Sequence, residues 1–481
     1  MQPREPARSS HRDPADPADR AEPARAPAGP AGTAGPAARP GEPAVGLAEP
    51  DAAPTGPDAA RARMVKELRQ LGHLLSPAVL AAFATVPRHV FVPEIGPAAA
   101  YRDEALVIKC GPDGLPVSSS SQPAMMAIML GQLGLQPGHR VLEIGTGSGY
   151  NAAVMSEVVG PAGEVVTIDI DAELVARARA SLLAAGADTV TVYRADGGYG
   201  DPGGAPFDRI IVTAGAWDIA PAWLDQLVPG GRLVLPLSIR GVQLSVALEQ
   251  LGRGWLSTSA CRCGFVRMLG AFAGPEEVVR LDGPRPLAFQ VSDGSPVDID
   301  ALASALAGPA SDEAVPVALA SIAELADLDL WLTLMAGRVN RLTVLAAPGE
   351  WLDPAAPPPF GALVSDGTDA YRLGICMLMP AGFGDDGRGR GRAAGNRPEV
   401  AATAGWSGAA AFRALGLGGP ELAARLATLS ERWAQLGRPG SRELEVAVWR
   451  AGAAPGRPPA DWLVVKRPSV NIAAGWPLAA R

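Results

Sequence analysis

Two runs hold most of the residues whose types and spacing could do chemistry. The first is Val141-Leu142-Glu143-Ile144-Gly145-Thr146-Gly147-Ser148-Gly149-Tyr150, followed by a helix-like stretch from Asn151 to Val158. Apolar residues lead to a carboxylate, glycine then alternates, and a helix begins. A strand, tight turn and helix start in that order aim N–H donors at an anionic group, and the glycines let a ligand reach the backbone. A second apolar strand, Glu164 to Ile168, ends at Asp169. That offset, about twenty residues past the turn, suits a carboxylate that binds a pair of ribose hydroxyls. The second run is Val117-Ser118-Ser119-Ser120-Ser121-Gln122-Pro123-Ala124-Met125-Met126. A serine before proline and an apolar helix reads first as an N-cap. A cap needs one serine, so the run also fits a set of hydroxyls that hold a carboxylate at a helix N-terminus.

The elements that must position these runs follow a regular alternation. Met64 to Leu75 and Ser76 to Thr85 have helical spacing, with Ser76-Pro77 as cap and first helical position. After the glycine turn come a helix over Asp171 to Ala185, a strand over Thr189 to Arg194 and then Asp196-Gly197. A strand over Phe207 to Thr213 runs into Ala214-Gly215-Ala216, and Pro221 to Leu227 is a short helix. Val228-Pro229-Gly230-Gly231 reads as a turn into a strand over Arg232 to Leu237, with strand character again over Val242 to Gln250 and Trp255 to Ser259. Such alternation implies an α/β fold with a mostly parallel sheet and helices on both faces. Ligands then sit at the carboxyl ends of strands, where Gly145, Asp169, Asp196 and Thr213 all fall. His89 is a candidate acid or base, set against a local packing role.

Composition narrows the function classes. The 481 residues suffice for two or three domains, and 48% apolar content suffices for real cores. A net charge of −8 gives no general attraction to nucleic acid. The four cysteines, Cys110, Cys261, Cys263 and Cys376, have no metal-ligand spacing and are too few for a disulfide scaffold, so no metal is expected. No apolar run reaches the ~18 residues of a membrane span, and the chain does not start with a signal pattern, which makes cytoplasm the default and gives no membrane partner.

Residues 1–60 are rich in Ala and Pro and read as a disordered tail. The first folded domain is expected over 61–274. A second, α+β in character, is expected over 275–481, with helices over Asp298 to Ala307 and Ser321 to Ala336 and strands over Arg341 to Ala346, Tyr371 to Met379, Glu443 to Arg450 and Asp461 to Lys466. Between Pro420 and Gly437, Leu422, Leu426, Leu429, Trp433 and Leu436 form one apolar face, either core or a partner groove. The Gly/Arg run 387–392 is a solvated loop or a basic clamp for an acidic peptide.

The glycine turn has a Gly-x-Gly-x-Gly spacing after a glutamate and resembles the S-adenosylmethionine turn of class I methyltransferases, whose sheet is Rossmann-like. Val86-Pro87-Arg88-His89-x-Phe91-Val92-Pro93, Tyr101-x-Asp103-x-Ala105-Leu106-x-Ile108, Ser121-Gln122-Pro123, the turn, Asp196-Gly197 and Ile211-Val212-Thr213-Ala214 occur in order. Together, over about residues 64 to 270, they resemble the protein-L-isoaspartate O-methyltransferase family. The resemblance implies methyl transfer from S-adenosylmethionine, leaving S-adenosylhomocysteine, to an Asp or isoAsp carboxylate of a peptide or protein. It places Ser121, with Ser119 and Ser120, at the reacting site. It places Ser121, Glu143, Gly145, Thr146, Gly147, Asp169, Ile170 and Thr213 along the cofactor, with Asp196 and Gly197 beside its adenine. Where the family usually has Thr-Ile-Ser before Gln-Pro, this chain has Ser119-Ser120-Ser121.

The long C-terminal region resembles the branch associated with lanthipeptide and graspetide pathways. That branch implies methylation of a chosen Asp in a ribosomally made precursor, such as one with an acidic leader, on the way to an aspartimide. General isoaspartyl repair and a non-catalytic cofactor-binding scaffold are the alternatives.

Overall fold

The computed structural model describes residues 56–71, 76–112, 114–275, 277–281, 287–291, 298–308, 310–337, 339–345, 362–365, 375–380, 410–453 and 458–477. The tail expected over 1–60 lies almost wholly outside them, as does the Gly/Arg run 387–392. The first helix begins earlier than the sequence suggests, at Pro57, and runs to Arg69.

Among the described residues nine strands precede residue 275: β1 (Leu106–Cys110), β2 (Pro116–Ser120), β3 (Arg140–Ile144), β4 (Glu164–Asp169), β5 (Thr191–Arg194), β6 (Phe207–Val212), β7 (Leu227–Ile239), β8 (Val242–Leu251) and β9 (Gly254–Cys263). β1 and β2 form a separate antiparallel hairpin. The other seven belong to a ten-stranded sheet, in which β3 lies between β4 and β6. From β3 the chain adds β4 and β5 on one side and then crosses to add β6 and β7 on the other, all in parallel. A crevice opens where the winding direction reverses, above the carboxyl ends of β3 and β6.

The sheet is mixed, not mostly parallel. Two-residue hairpins join β7 to β8 and β8 to β9, which forces antiparallel pairing. Arg240 and Gly241, between β7 and β8, both have positive φ (51° and 77°), as the tightest hairpin turns require. The turn expected at Val228–Gly231 is part of β7 itself. The register against β6 shifts there, and Gly230 at φ 78° absorbs the irregularity without ending the strand.

Side chains alternate across the sheet as the pleat requires. Val141, Val165 and Ile211 pack with the helices Pro57–Arg69, Pro77–Thr85, Pro123–Leu133 and Tyr150–Val159 on one face. Leu142, Ile144, Val166, Ile210 and Val212 pack on the other.

The stretch 275–481 does not form one separate body. Seven of its strands make a second, antiparallel sheet. The last three, Glu445–Arg450, Leu463–Lys466 and Val470–Gly475, join the first sheet, with Glu445–Arg450 pairing against β9. The helix Ile322–Met335 is buried on almost every side, which explains its apolar composition all round. The apolar stripe on the helix Gly419–Gln435 is core: Leu422, Leu426 and Trp433 are buried in the same cluster as β3 and β6.

Candidate active site

The crevice at β3 and β6 encloses about 1080 Å³, counting its open mouth. Three walls meet there. One is the glycine turn, one is Val117–Ser121 at the end of β2, and one is Thr213–Ala214 with the segment Phe265–Leu269.

Backbone geometry explains why the turn needs glycine. Gly145 has φ 102°, and a Cβ there would stand 2.5 Å from Thr213 Oγ1. The Thr213 hydroxyl donates to the carbonyls of Gly145 (2.7 Å) and Ile144 (3.1 Å), which pins the turn to β6. A Cβ on Gly147 would meet Ser119 O at 3.5 Å and Ser118 Oγ at 3.6 Å, so the turn and the serine strand face each other directly.

Asp169 ends β4 on the cleft wall. Its carboxylate accepts the N–H groups of Gly147 (3.1 Å) and Asp171 (3.0 Å), while burial pushes its titration upward. Glu143 is fully buried, and burial pushes its carboxyl up to about 7 against hydrogen bonds from Thr167 Oγ1 (2.6 Å) and Asn151 Nδ2 (2.7 Å). Thr146 Oγ1 lies 2.8 Å from Thr167 Oγ1, so its hydroxyl belongs to the same buried chain. Because Asn151 gives its amide N–H to Glu143, its Oδ1 faces away, buried and without a partner.

All four serines line the cleft, Ser118 and Ser120 buried, Ser119 and Ser121 half-buried. None of them caps the following helix, Pro123–Leu133. Gln122 holds the N-cap position without a side-chain cap, and Asp103 Oδ1 accepts the Ala124 N–H at 2.8 Å instead. The N-cap reading of the run is therefore replaced by a capping carboxylate from a distant loop.

Ile170 and Gly197 also line the cleft. Asp196 does not: its carboxylate accepts the N–H groups of Gly198 (2.9 Å) and Ala271 (2.8 Å) and ties the cleft's edge to the segment after Leu269. His89 lies away from the cleft, with Nδ1 2.9 Å from the Tyr101 hydroxyl, which is the local role. Among the described residues no cluster of three or more His, Cys, Asp or Glu could hold a metal ion.

Sequence reasoning missed Ser148, Asn151, Asp171 and Phe265–Leu269. The last segment stands between Gly264 and Gly270, a weak signal of a loop. Long-range bonds place it: Gly215 N–H donates to Val266 O (2.8 Å) and Met268 N–H to Gly215 O (3.0 Å). Asp171 caps the helix Ala172–Ala184, accepting the N–H groups of Glu173 (2.9 Å) and Leu174 (3.2 Å), and pairs with Lys109 of β1 at 2.7 Å.

These residues fit the cofactor that the resemblance implies. The glycine cradle admits a ligand against the backbone, Asp169 keeps acceptor capacity for hydroxyls, and the orphan Asn151 Oδ1 is an acceptor suited to an ammonium group.

Comparison with known proteins agrees with the motifs. The family model described as protein-L-isoaspartate(D-aspartate) O-methyltransferase matches residues 59–270. A protein-L-isoaspartate O-methyltransferase of Methanopyrus kandleri is 42% identical over 221 residues, which is 45% of this chain and 95% of that protein. Protein-L-isoaspartate O-methyltransferase 2 of Archaeoglobus fulgidus is 46% identical over 193 residues, 40% of this chain and 84% of that protein. A solved structure from Plasmodium falciparum, described as a putative protein-L-isoaspartate O-methyltransferase in complex with S-adenosyl-L-homocysteine, is 20% identical with a TM-score of 0.38, over 44% of this chain and 98% of that one.

Proposed function

The chain belongs to the protein-L-isoaspartate O-methyltransferase family, and from that premise we propose that it methylates an aspartyl or isoaspartyl carboxylate in a polypeptide, using S-adenosylmethionine. One observation carries the reading: a wall of serine hydroxyls faces the glycine turn across the same cleft. The bound donor supplies a methyl group on a positively charged sulfur, an electrophile that a carboxylate attacks without prior deprotonation.

The protein's part is then placement. Holding the reacting groups in line is worth about 7–11 kcal/mol. Transfer neutralises the carboxylate, so a group that gripped the anion tightly would hold back the reaction. Neutral hydroxyls at Ser119, Ser120 and Ser121 orient it without that penalty. Glu143, Gly145, Thr146, Gly147, Asp169, Ile170 and Thr213 hold the donor's side of the cleft. The product ester lets the next backbone nitrogen attack with loss of methanol. The resulting aspartimide ring opens with water to Asp or isoAsp.

For the substrate, we propose a ribosomally made peptide precursor of the lanthipeptide or graspetide kind, with the region after residue 274 contributing to its recognition. The support is that residues 271–481 lie beyond the family match. A second reading, general isoaspartyl repair, is favoured by identity that spans nearly the whole length of the named relatives. A substrate comparison separates them. Tailoring predicts methylation of one Asp in a peptide encoded by a neighbouring short reading frame, with little turnover of unrelated isoaspartyl peptides. Broad methylation of isoaspartyl peptides, with normal Asp ignored, supports repair and rejects tailoring.

A further inference from the structure

The cleft leaves two of the sequence motifs without a stated task. Arg88 comes from Val86-Pro87-Arg88-His89 and Asp103 from Tyr101-x-Asp103, and neither residue lines the cleft. Both close on the Ser-Gln-Pro turn.

Arg88 is fully buried. Its Nη2 donates to the carbonyls of Ser121 (2.9 Å) and Ser120 (3.3 Å), and its Nε to Ala100 O (2.7 Å). Its guanidinium carbon lies 5.1 Å from the centre of the Tyr150 ring. Among the described residues it forms no ion pair. A buried cation held by backbone carbonyls, the Met126 sulfur and a ring, with no paired anion, is costly to keep, which asks for a task beyond packing. Asp103, also buried, holds the other edge of the turn: Oδ1 accepts the Ala124 N–H (2.8 Å) and Oδ2 the Gln122 side-chain amide (2.9 Å).

The carbonyl edge of the turn is thus fixed by a cation and the amide edge by an anion. Pro123 fixes a further backbone angle. Because Asp103 caps the helix from a distance, the serine hydroxyls are released from the work that this sequence position would normally give them. We propose that Arg88 and Asp103 are positioning residues that bracket residues 120–124 and so set where the Ser121 hydroxyl meets the substrate carboxylate. The inference rests on the reading of Ser121 as part of the carboxylate's berth.

A double-mutant cycle tests it, using for turnover whichever peptide the substrate comparison shows to be methylated, precursor or isoaspartyl, and calorimetry with S-adenosylhomocysteine for the cofactor side. Asp103→Asn is expected to lower kcat about tenfold, with peptide KM and S-adenosylhomocysteine Kd within about twofold of the parent. Placed in Ser121→Ala, the same substitution is expected to lower kcat by less than about twofold, because the group it positions has gone. An equal tenfold loss in both backgrounds overturns the inference and leaves a structural role for Asp103. Should Asp103→Asn fail to fold, Arg88→Lys enters the same cycle with the same expected coupling, since lysine keeps the charge and loses the fork. If Ser121→Ala alone leaves kcat unchanged, the berth itself is refuted, an outcome distinct from additivity.

Discussion

In the parallel half of the large sheet, β3 to β7, strands end at one rim and a crevice opens where the winding reverses. In the antiparallel half, β8, β9 and the strands Glu445–Arg450, Leu463–Lys466 and Val470–Gly475, neighbouring strands run in opposite directions, so their carboxyl ends are shared between both rims. Yet the second half is not an appendage to the first. Trp331 of the helix Ile322–Met335 packs at a tilt against Trp476, ring centres 5.0 Å apart, and Asp329 of that helix is ion-paired to Arg262 of β9 at 2.9 Å. Asp218, five residues beyond Thr213, accepts the Ser469 N–H at 2.8 Å, so a C-terminal turn braces the loop that follows β6. The region beyond the family match therefore carries part of the fold, whatever it also does for substrate. The parallel half should govern ligands, and the antiparallel half should govern stability.

Ending the chain near residue 440 challenges that division most severely. It removes three strands and uncovers β9, and the expected result is loss of cooperative unfolding for the entire protein, seen in a thermal melt. A stable, cofactor-binding fragment would show that the C-terminal strands are accessory. For the same reason, loss of activity on truncation near residue 280 says nothing about substrate recognition. Next in size is Trp433→Ala, expected to cost about 3–5 kcal/mol of stability by chemical denaturation while S-adenosylhomocysteine affinity stays within about twofold. A large loss of affinity would mean that the halves are coupled. On the other side, Asp169→Ala should raise the Kd for S-adenosylhomocysteine by about 10- to 100-fold, the worth of hydrogen bonds to a charged group, with little change in melting temperature. Unchanged affinity would remove Asp169 from the cofactor's berth.

The smallest effect is a pH slope. Glu143 titrates at about 7 in the folded chain against 4.5 when unperturbed. Between these values the folded state binds more protons than the unfolded state. Its contribution to stability is complete below 4.5 and is lost as pH rises towards about 7. Glu143→Gln should flatten the difference in urea stability between acidic and neutral pH. An identical slope in both proteins would place the titration elsewhere.

The parallel half was largely legible in the sequence, since period-two apolar strands, a glycine turn and periodic helices are local signals. Ser118–Ser121, Gly145, Gly147, Asp169 and Thr213 come together because all sit at strand ends. What escaped was non-local. The carboxylate that caps Pro123–Leu133 lies about twenty positions upstream, so the serines looked like the cap. Asp196 sits at a strand end like the others, but its oxygens turn to the N–H groups of Gly198 and Ala271, and it is not among the residues that line the cleft. The strand Val470–Gly475 is Val-Asn-Ile-Ala-Ala-Gly, with little intrinsic strand preference, and only pairing on both edges defines it.

The central claim is that a donor held by the glycine turn faces a carboxylate held by serine hydroxyls. A crystal structure of the protein with S-adenosylhomocysteine and the peptide it methylates, precursor or isoaspartyl, tests it most directly. The account predicts the peptide carboxylate within hydrogen-bond distance of the Ser121 hydroxyl, with one oxygen directed at the sulfur. A carboxylate seated elsewhere, with no extended chain beside Ser121, would contradict it.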